Sequence, residues 1–230
     1  MASFGVFSAL DDTLFPRLCA ACGGVLSSGE KAICPSCRMS LPYFDNSSLT
    51  DNKITALLRG SLPLSYAASL LNFQKGGPVQ RIIHRLKYHK QLEIGSVLGR
   101  WLGEKLKNTS LTHCDCVIPV PLHRKKLKKR GYNQVSGFAQ ALASRLGLGV
   151  HEDILFRVYD GETQTKKSRF TRWLNVKEVF TVFDDAAVSG KKVLLVDDVI
   201  TTGATLNACA QALLHAQGVQ ISIAVMAVAQ

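Results

Sequence analysis

The chain has 230 residues, 47% of them hydrophobic, enough to bury one core of ordinary size and to leave room for a small additional module. Its 28 Lys and Arg against 17 Asp and Glu give a formal net charge of +11, a balance that favours anionic partners such as nucleic acid or a polyphosphate ligand. No stretch is long enough to span a bilayer, and the N-terminal MASFGVFSALDD lacks the basic start of a secretory leader, so a cytoplasmic protein is expected.

The first expected element is a cysteine module. Cys19, Cys22, Cys34 and Cys37 form two C-x2-C hooks, and Gly23, Gly24 and Pro35 supply the tight turns that let the hooks converge. Four thiolates in this arrangement suit a tetrahedral zinc ion with no open position, hence a structural site. Two disulfides are the competing explanation and require an oxidising compartment. A redox pair would sit in a βαβ context that this region lacks. The module is expected to cover residues 1–45 and to be zinc-ribbon-like. DNSSLTDN, from Asp45 to Asn52, is then a polar connection into a second domain of residues 46–230. Through Leu62, Arg17, Lys31, Arg38, Lys53 and Arg59 cancel Asp11, Asp12, Glu30, Asp45 and Asp51, so the net charge belongs to residues 63–230.

That second domain reads as alternating helices and strands. Val79, Ile82, Ile83 and Leu86 recur at helical spacing and place Arg81 and Arg85 together on another side. A second helix is expected from about Leu92 to Leu106. CDCVIPVPLHRKK gives a short strand, Val117 to Val120, ended by Pro121 and opening into HRKKLKKRGYNQ, residues 123–134, the densest basic run. Further basic clusters lie at Lys75 to Lys90 and Lys166 to Arg172. Val135, Phe138, Leu142 and Leu146 make the following helix, and DILFRVY the next strand. DGETQTKKSRFTRWLNVKEVF is polar and without clear periodicity, as expected of a mobile active-site loop or of an ordinary connection. Val193, Leu194, Leu195 and Val196, apolar without alternation, predict a strand buried on both faces, which points to a parallel sheet. Asp197 and Asp198 sit where that strand ends. Thr201, Thr202, Gly203, Ala204 and Thr205 form a small hydroxyl-rich turn, and Leu206, Cys209, Ala210, Leu213 and Leu214 continue as a helix. Val219 to Ala229 reads as a central strand. Cys114, Cys116 and Cys209 are expected to be small buried hydrophobes.

The strand, turn and helix around residues 193–205 make a site for a sugar phosphate. Open α/β sheets bind ligands at the carboxyl ends of their strands, and a helix N-terminus offers unpaired N–H groups to an anion. The threonine hydroxyls can donate to phosphate, whereas ionised Asp197 and Asp198 only accept and suit sugar hydroxyls or a metal-bound pyrophosphate. An ordinary βα loop that turns the chain and caps the next helix is the competing reading. VLLVDDVITTGAT resembles the phosphoribosyl pyrophosphate (PRPP) motif of type I phosphoribosyltransferases. By that resemblance Asp197 and Asp198 face the ribose 2′ and 3′ hydroxyls, Thr201 to Thr205 wrap the 5′-phosphate, and Mg²⁺ accompanies PRPP. The family often has a second glycine where this chain has Ala204.

The double C-x2-C with LFPRLCAACG, then RLKYH, PVPLH, RGYNQ, the series Gln164, Arg169, Arg172 and Asn175, and the PRPP motif together resemble the ComF competence-protein family, in order and across nearly the whole chain. The resemblance implies a type I phosphoribosyltransferase-like α/β fold, a parallel sheet flanked by helices, fused to the N-terminal zinc module. It also implies a cytoplasmic role in DNA uptake during natural transformation, with affinity for single-stranded DNA; peripheral attachment at the inner face of the membrane is the alternative location. Val120, Pro121, Leu122, His123 and Arg124 would form the pyrophosphate loop, and Thr163 to Asn175 would stand in the place of the flexible loop. A DNA strand is expected on Arg124, Lys125, Lys126, Lys128, Lys129 and Arg130, with Tyr132 either stacking a base or serving as a half-buried aromatic beside the turn. A DNA-uptake helicase or recombination protein is a further candidate partner. An active phosphoribosyltransferase is the alternative function. The twenty-five residues after Thr205 are taken up by a helix and a strand, so an acceptor base would have to be held near Lys75 to Leu92 or by the zinc module.

Overall fold

The computed structural model describes residues 16–157 and 179–229. In chain order these form helices α1 (Pro35–Ser40) and α2 (Lys53–Leu58), strand β1 (Leu64–Phe73), helices α3 (Pro78–Tyr88) and α4 (Glu93–Leu106), and strand β2 (Cys116–Pro119). Helices α5 (Arg124–Arg130) and α6 (Ser136–Leu146) follow, then strands β3 (Gly149–Val150), β4 (Leu155–Arg157), β5 (Phe180–Val182) and β6 (Lys192–Ile200), helix α7 (Ala204–Leu214) and strand β7 (Gln220–Ala229).

The apolar quartet before the acidic pair decides the architecture. Val193, Leu194, Leu195 and Val196 are all fully buried, because β6 lies inside a five-stranded parallel sheet ordered β1-β7-β6-β2-β3. Alternate side chains feed two cores. Leu194 and Val196 pack with α3, α4 and α6, while Val193 and Leu195 pack with α2, α7 and the small antiparallel pair β4–β5. This is a parallel sheet flanked by helices, as the sequence implied.

Several boundaries differ from the sequence expectation. β6 does not stop at the acidic pair but runs through Asp197 and Asp198 to Ile200, held by β7 to its last residue. The strand expected within DILFRVY pairs antiparallel with β5 outside the main sheet. The basic run is not open loop. Residues Arg124–Arg130 form a short helix, started by a His123 Nδ1 that accepts the Lys125 N–H and ended by Gly131 in the left-handed region. β1 and α2, which the sequence reading did not anticipate, complete the sheet edge and cover one face.

On the other face, α4 and α6 approach until their backbones touch. Gly95, Gly99 and Gly103 make this possible: a Cβ at Gly99 would lie 2.4 Å from the Phe138 carbonyl oxygen and 2.9 Å from the Ala141 Cβ. Among the described residues, the cysteine module shares its buried core with the larger domain. Cys19, Ala20 and Ala21 belong to the same buried cluster as Ile82 and Leu86 of α3, and the Arg81 Nε donates to the Ala21 carbonyl at 2.6 Å. The segment 42–52 then runs along the free edge of β1. Phe44 N–H donates to Leu70, Asn72 N–H to Pro42 and Ala67 N–H to Leu49, while the Asn46 and Asn52 side chains bond Ser69 and Ala67.

Candidate functional site

β2 and β6 are neighbours in register, Pro119 opposite Val196, so the loops that follow them emerge side by side at the carboxyl edge of the sheet. The first carries Val120, Pro121, Leu122, His123 and Arg124. Val120 is buried and tied to Val196 by a 2.8 Å backbone hydrogen bond. The second carries Thr201, Thr202, Gly203, Ala204 and Thr205. Both threonines before the glycine and the one after Ala204 are exposed, while Gly203 is buried with φ +77°. A side chain at Gly203 would meet the Leu58 Cδ2 at 2.5 Å, so both the backbone angle and the packing of α2 call for glycine. Ala204 is the first helical residue of α7, and its methyl group fits without a positive φ. The eleven-residue α7 thus presents its free N–H groups at the end of β6.

The acidic pair does not face solvent as two equal carboxylates. Asp198 is 5% exposed and already accepts from two side chains. The Lys87 Nζ, from the last turn of α3, lies 2.9 Å from each of its oxygens, and the Gln134 Nε2 donates to Oδ2 at 2.9 Å. The Arg130 Nη1 in turn donates to the Gln134 Oε1 at 2.7 Å, so a relay runs from the basic helix to the acidic pair. Asp197 is partly buried and accepts the Asp198 N–H at 2.7 Å. Burial and the neighbouring Asp198 charge push its carboxyl up to about 7, against the opposing pull of that N–H and of Lys87. Asp197 is therefore poised to change charge near neutrality when a ligand supplies a donor or a metal ion.

A cleft of about 300 Å³ opens beside Asp198, lined by Phe73, His84, Lys87, Tyr88 and Thr201. A second, of about 290 Å³, lies between α3 and α5 and is lined by Lys87, Tyr88, Lys90, Lys126, Lys129 and Tyr132. Arg124, Lys125, Lys126, Lys128 and Lys129 are exposed on α5, whereas Arg130 is partly buried and committed to Gln134. Tyr132 is partly buried and donates its hydroxyl to the Leu86 carbonyl at 2.6 Å. Asn133 ties the turn together, donating to the Val120 carbonyl and accepting the Val135 N–H. Gln164, Arg169, Arg172, Asn175 and the Thr163 to Asn175 segment lie outside the described residues.

The sequence reading did not assign Lys87 or Gln134 to the site. Both lie within quoted motifs, RLKYH and RGYNQ, but nothing in their local pattern shows that each ends on Asp198, 111 and 64 residues away.

The four module cysteines converge as spaced: their Sγ atoms all lie within 4.8 Å of one another and none forms a disulfide. The first hook is closed by Gly23 N–H to Cys19 and Cys19 N–H to Gly24, and the second opens α1 with Pro35 at its first position. Burial raises the Cys19 thiol, but N–H groups of Cys22, Cys34 and Ala21 outweigh it and bring the group down to about 6. Burial and the three other sulfurs push Cys37 up to about 12. A cluster that stabilises one thiolate and cannot hold four without a cation fits a Zn²⁺ ion held by all four cysteines. Cys114, Cys116 and Cys209 are buried, and burial raises all three thiols. No helix among the described residues is long and apolar enough to cross a membrane.

Residues 136–230 match the phosphoribosyl transferase domain family. The chain is 33% identical over 142 residues to the DNA utilization protein YhgH of Salmonella typhi, covering 60% of this chain and 62% of that protein. It is 36% identical over 139 residues to competence protein F of Haemophilus influenzae, covering 56% and 59%. In both cases less than two thirds of the relative's length is matched. The YhgH protein of Escherichia coli O157:H7 is 28% identical over 202 residues, 86% of this chain and 84% of the relative. The longest of these matches takes in most of the chain, which is homologous to the YhgH and competence proteins and carries a phosphoribosyltransferase-like domain and an N-terminal four-cysteine cluster suited to zinc.

Proposed function

We propose that the carboxyl-edge site binds PRPP with Mg²⁺ and that the adjoining basic face binds single-stranded DNA, in the service of DNA uptake. The observation that carries the first half is the placement of Asp197 and Asp198 on β6 immediately before the exposed threonine turn and the start of α7, beside the loop after β2. Acceptors for sugar hydroxyls, donors for a phosphate and helical N–H groups follow one another along one edge. The loop Val120 to Arg124 would take the pyrophosphate. A folded Asp197→Asn, Asp198→Asn double variant should bind PRPP·Mg²⁺ at least tenfold more weakly by calorimetry, each lost charge-assisted hydrogen bond being worth about 1.5–3 kcal/mol. Unchanged affinity would remove PRPP from this site.

The second half rests on α5. Six of its seven residues are cationic and none is buried, so like charges one turn apart repel without a packed face to offset them. A phosphate backbone would relieve that repulsion. If four side chains each neutralise a phosphate, log affinity should fall with log salt at a slope near −3, about −0.7 per phosphate, and Ala at Lys125, Lys126, Lys128 and Lys129 should flatten it. A helicase or recombination partner would meet the strand here. The cleft beside Asp198 also favours a second reading, transfer of the ribosyl phosphate to a base held there. Pyrophosphate release from PRPP with a panel of bases separates the two: release makes the protein a transferase, and binding without release makes PRPP a ligand.

A further inference from the structure

We infer that Tyr88, at the end of α3, is the platform on which a nucleobase of a bound strand stacks, with the base's phosphate lying toward α5. The inference rests on the nucleic-acid reading above and assigns a residue that reading lacks. Aromatic rings are ordinarily drawn into the interior by their large apolar area, yet Tyr88 is 63% exposed. It is not disordered packing at a loop tip: the ring sits on the last turn of a regular helix, 4.8 Å from the His84 ring at a 45° tilt. The Arg130 guanidinium carbon lies over the ring, 5.1 Å from its centroid, a cation–aromatic contact that takes one face, so a base would stack on the exposed remainder of the ring.

Tyr88 is also common to both clefts. On one side it faces Asp198 and Thr201, and on the other Lys90, Lys126 and Lys129. Each volume lies near the lower end of the range of small-molecule sites, about 300–1,000 Å³. A ring on Tyr88 would therefore have cations on one side for its phosphate and the ribose-phosphate loop on the other. Tyr132, the aromatic beside the densest basic run, is less suited: it is partly buried and its hydroxyl is fixed to the Leu86 carbonyl. Stacking on an exposed ring plus backbone neutralisation is how proteins hold single strands without reading sequence.

The test is fluorescence anisotropy on the full chain with a labelled oligo-dT and with an abasic oligonucleotide of the same length and charge. Tyr88→Ala should weaken oligo-dT about 5- to 150-fold, the range of a lost base stack, while leaving abasic binding and the salt slope unchanged. Tyr88→Phe should restore wild-type affinity. A Tyr88→Ala loss shared by both oligonucleotides, or no loss with either, overturns the inference. The reading beneath it is judged separately by Lys126→Ala with Lys129→Ala, which should weaken both oligonucleotides alike; wild-type protein that binds neither at low salt would sink both. A mononucleotide arm, AMP and UMP, fixes the source of the base. If Tyr88→Ala abolishes their binding but leaves oligo-dT unaffected, the ring serves a free nucleotide and the strand is overturned as its ligand.

Discussion

Replacing Lys87 by Met should destabilise the fold by an amount that depends on pH. Lys87 and Asp198 form the ion pair in which 23% and 7% of the side chains remain exposed; the other two pairs among the described residues are far more solvated. Removing one partner of a buried pair costs about 3–5 kcal/mol, and the residual exposure of Lys87 places this case near or just below the lower end, about 2–3 kcal/mol. For a chain of this size that is roughly 5–10 °C in Tm. Asp197 sets the pH dependence. Burial and Asp198 already push it up to about 7, and Lys87 is one of the two influences pulling it down. Without Lys87 it rises further. A carboxyl held above its unfolded value destabilises the native state when ionised; the penalty is complete above the folded pKa and fades as pH falls toward 3.8. The loss should therefore be largest at pH 8 and smaller at pH 6. Asp198→Asn behaves oppositely: it removes a like charge beside Asp197 and leaves a lysine that can turn to water, so stability should hold or rise even as PRPP affinity falls. Urea unfolding at pH 6, 7 and 8 reads all of this. A Lys87→Met loss identical at pH 6 and 8, or an Asp198→Asn variant as damaged as Lys87→Met, refutes the reasoning.

PRPP·Mg²⁺ binding at the acidic pair should release protons near pH 7, because ligand hydroxyls and the metal favour ionised Asp197. The heat of binding should then vary with the ionisation enthalpy of the buffer, and should cease to do so in Asp197→Asn. Purified protein should carry one zinc; Cys34→Ser should lose it, and because Ala20 and Ala21 pack in the same core as α3, hydrogen exchange should quicken in α3 as well as in the module. Gly99→Ala should cost about 1–3 kcal/mol from the 2.4 Å approach to the Phe138 carbonyl, offset in part by about 1 kcal/mol of helix propensity. Gly95→Ala, whose nearest contact is 3.2 Å, should cost less in the same denaturation assay.

Much of the sheet was legible because burial on both faces leaves an unmistakable run, as in Val193–Val196 and β7. The amphipathic α3 and α6 were equally plain from Ile82, Ile83, Phe138 and Leu142. β1 was not: LSYAASLLNF contains no β-branched residue and mixes Ser and Asn into its apolar run, so neither period stands out. The six-residue α2 announced itself only through the reciprocal hydrogen bonds of Asn52 and Thr55, too short a signal for periodicity. α5 has no buried residue at all, so only its caps, His123 and Gly131, mark it as helical. At the site, the acidic pair and threonine turn were legible because they are contiguous. Lys87, Gln134 and Tyr88 were not, since their roles arise from the sheet bringing α3 and the start of α6 over the end of β6.

The segment 42–52 has a consequence for self-association. β1 is the outermost strand on its side of the sheet, ten residues long, and a bare edge of that kind is a template on which a second chain can add a strand. Pro42, Phe44, Asn46, Leu49 and Asn52 occupy its outward hydrogen-bonding groups. The second cysteine hook ends at Cys37, five residues before Pro42, so the cysteine cluster anchors the root of the segment that covers this edge. A chain shortened to begin at residue 46, which keeps every strand of the sheet, would lose Pro42, Tyr43 and Phe44 and would expose the Leu70 carbonyl, the Asn72 N–H and the apolar face around them. Such a fragment would be expected to associate edge to edge rather than stay monomeric.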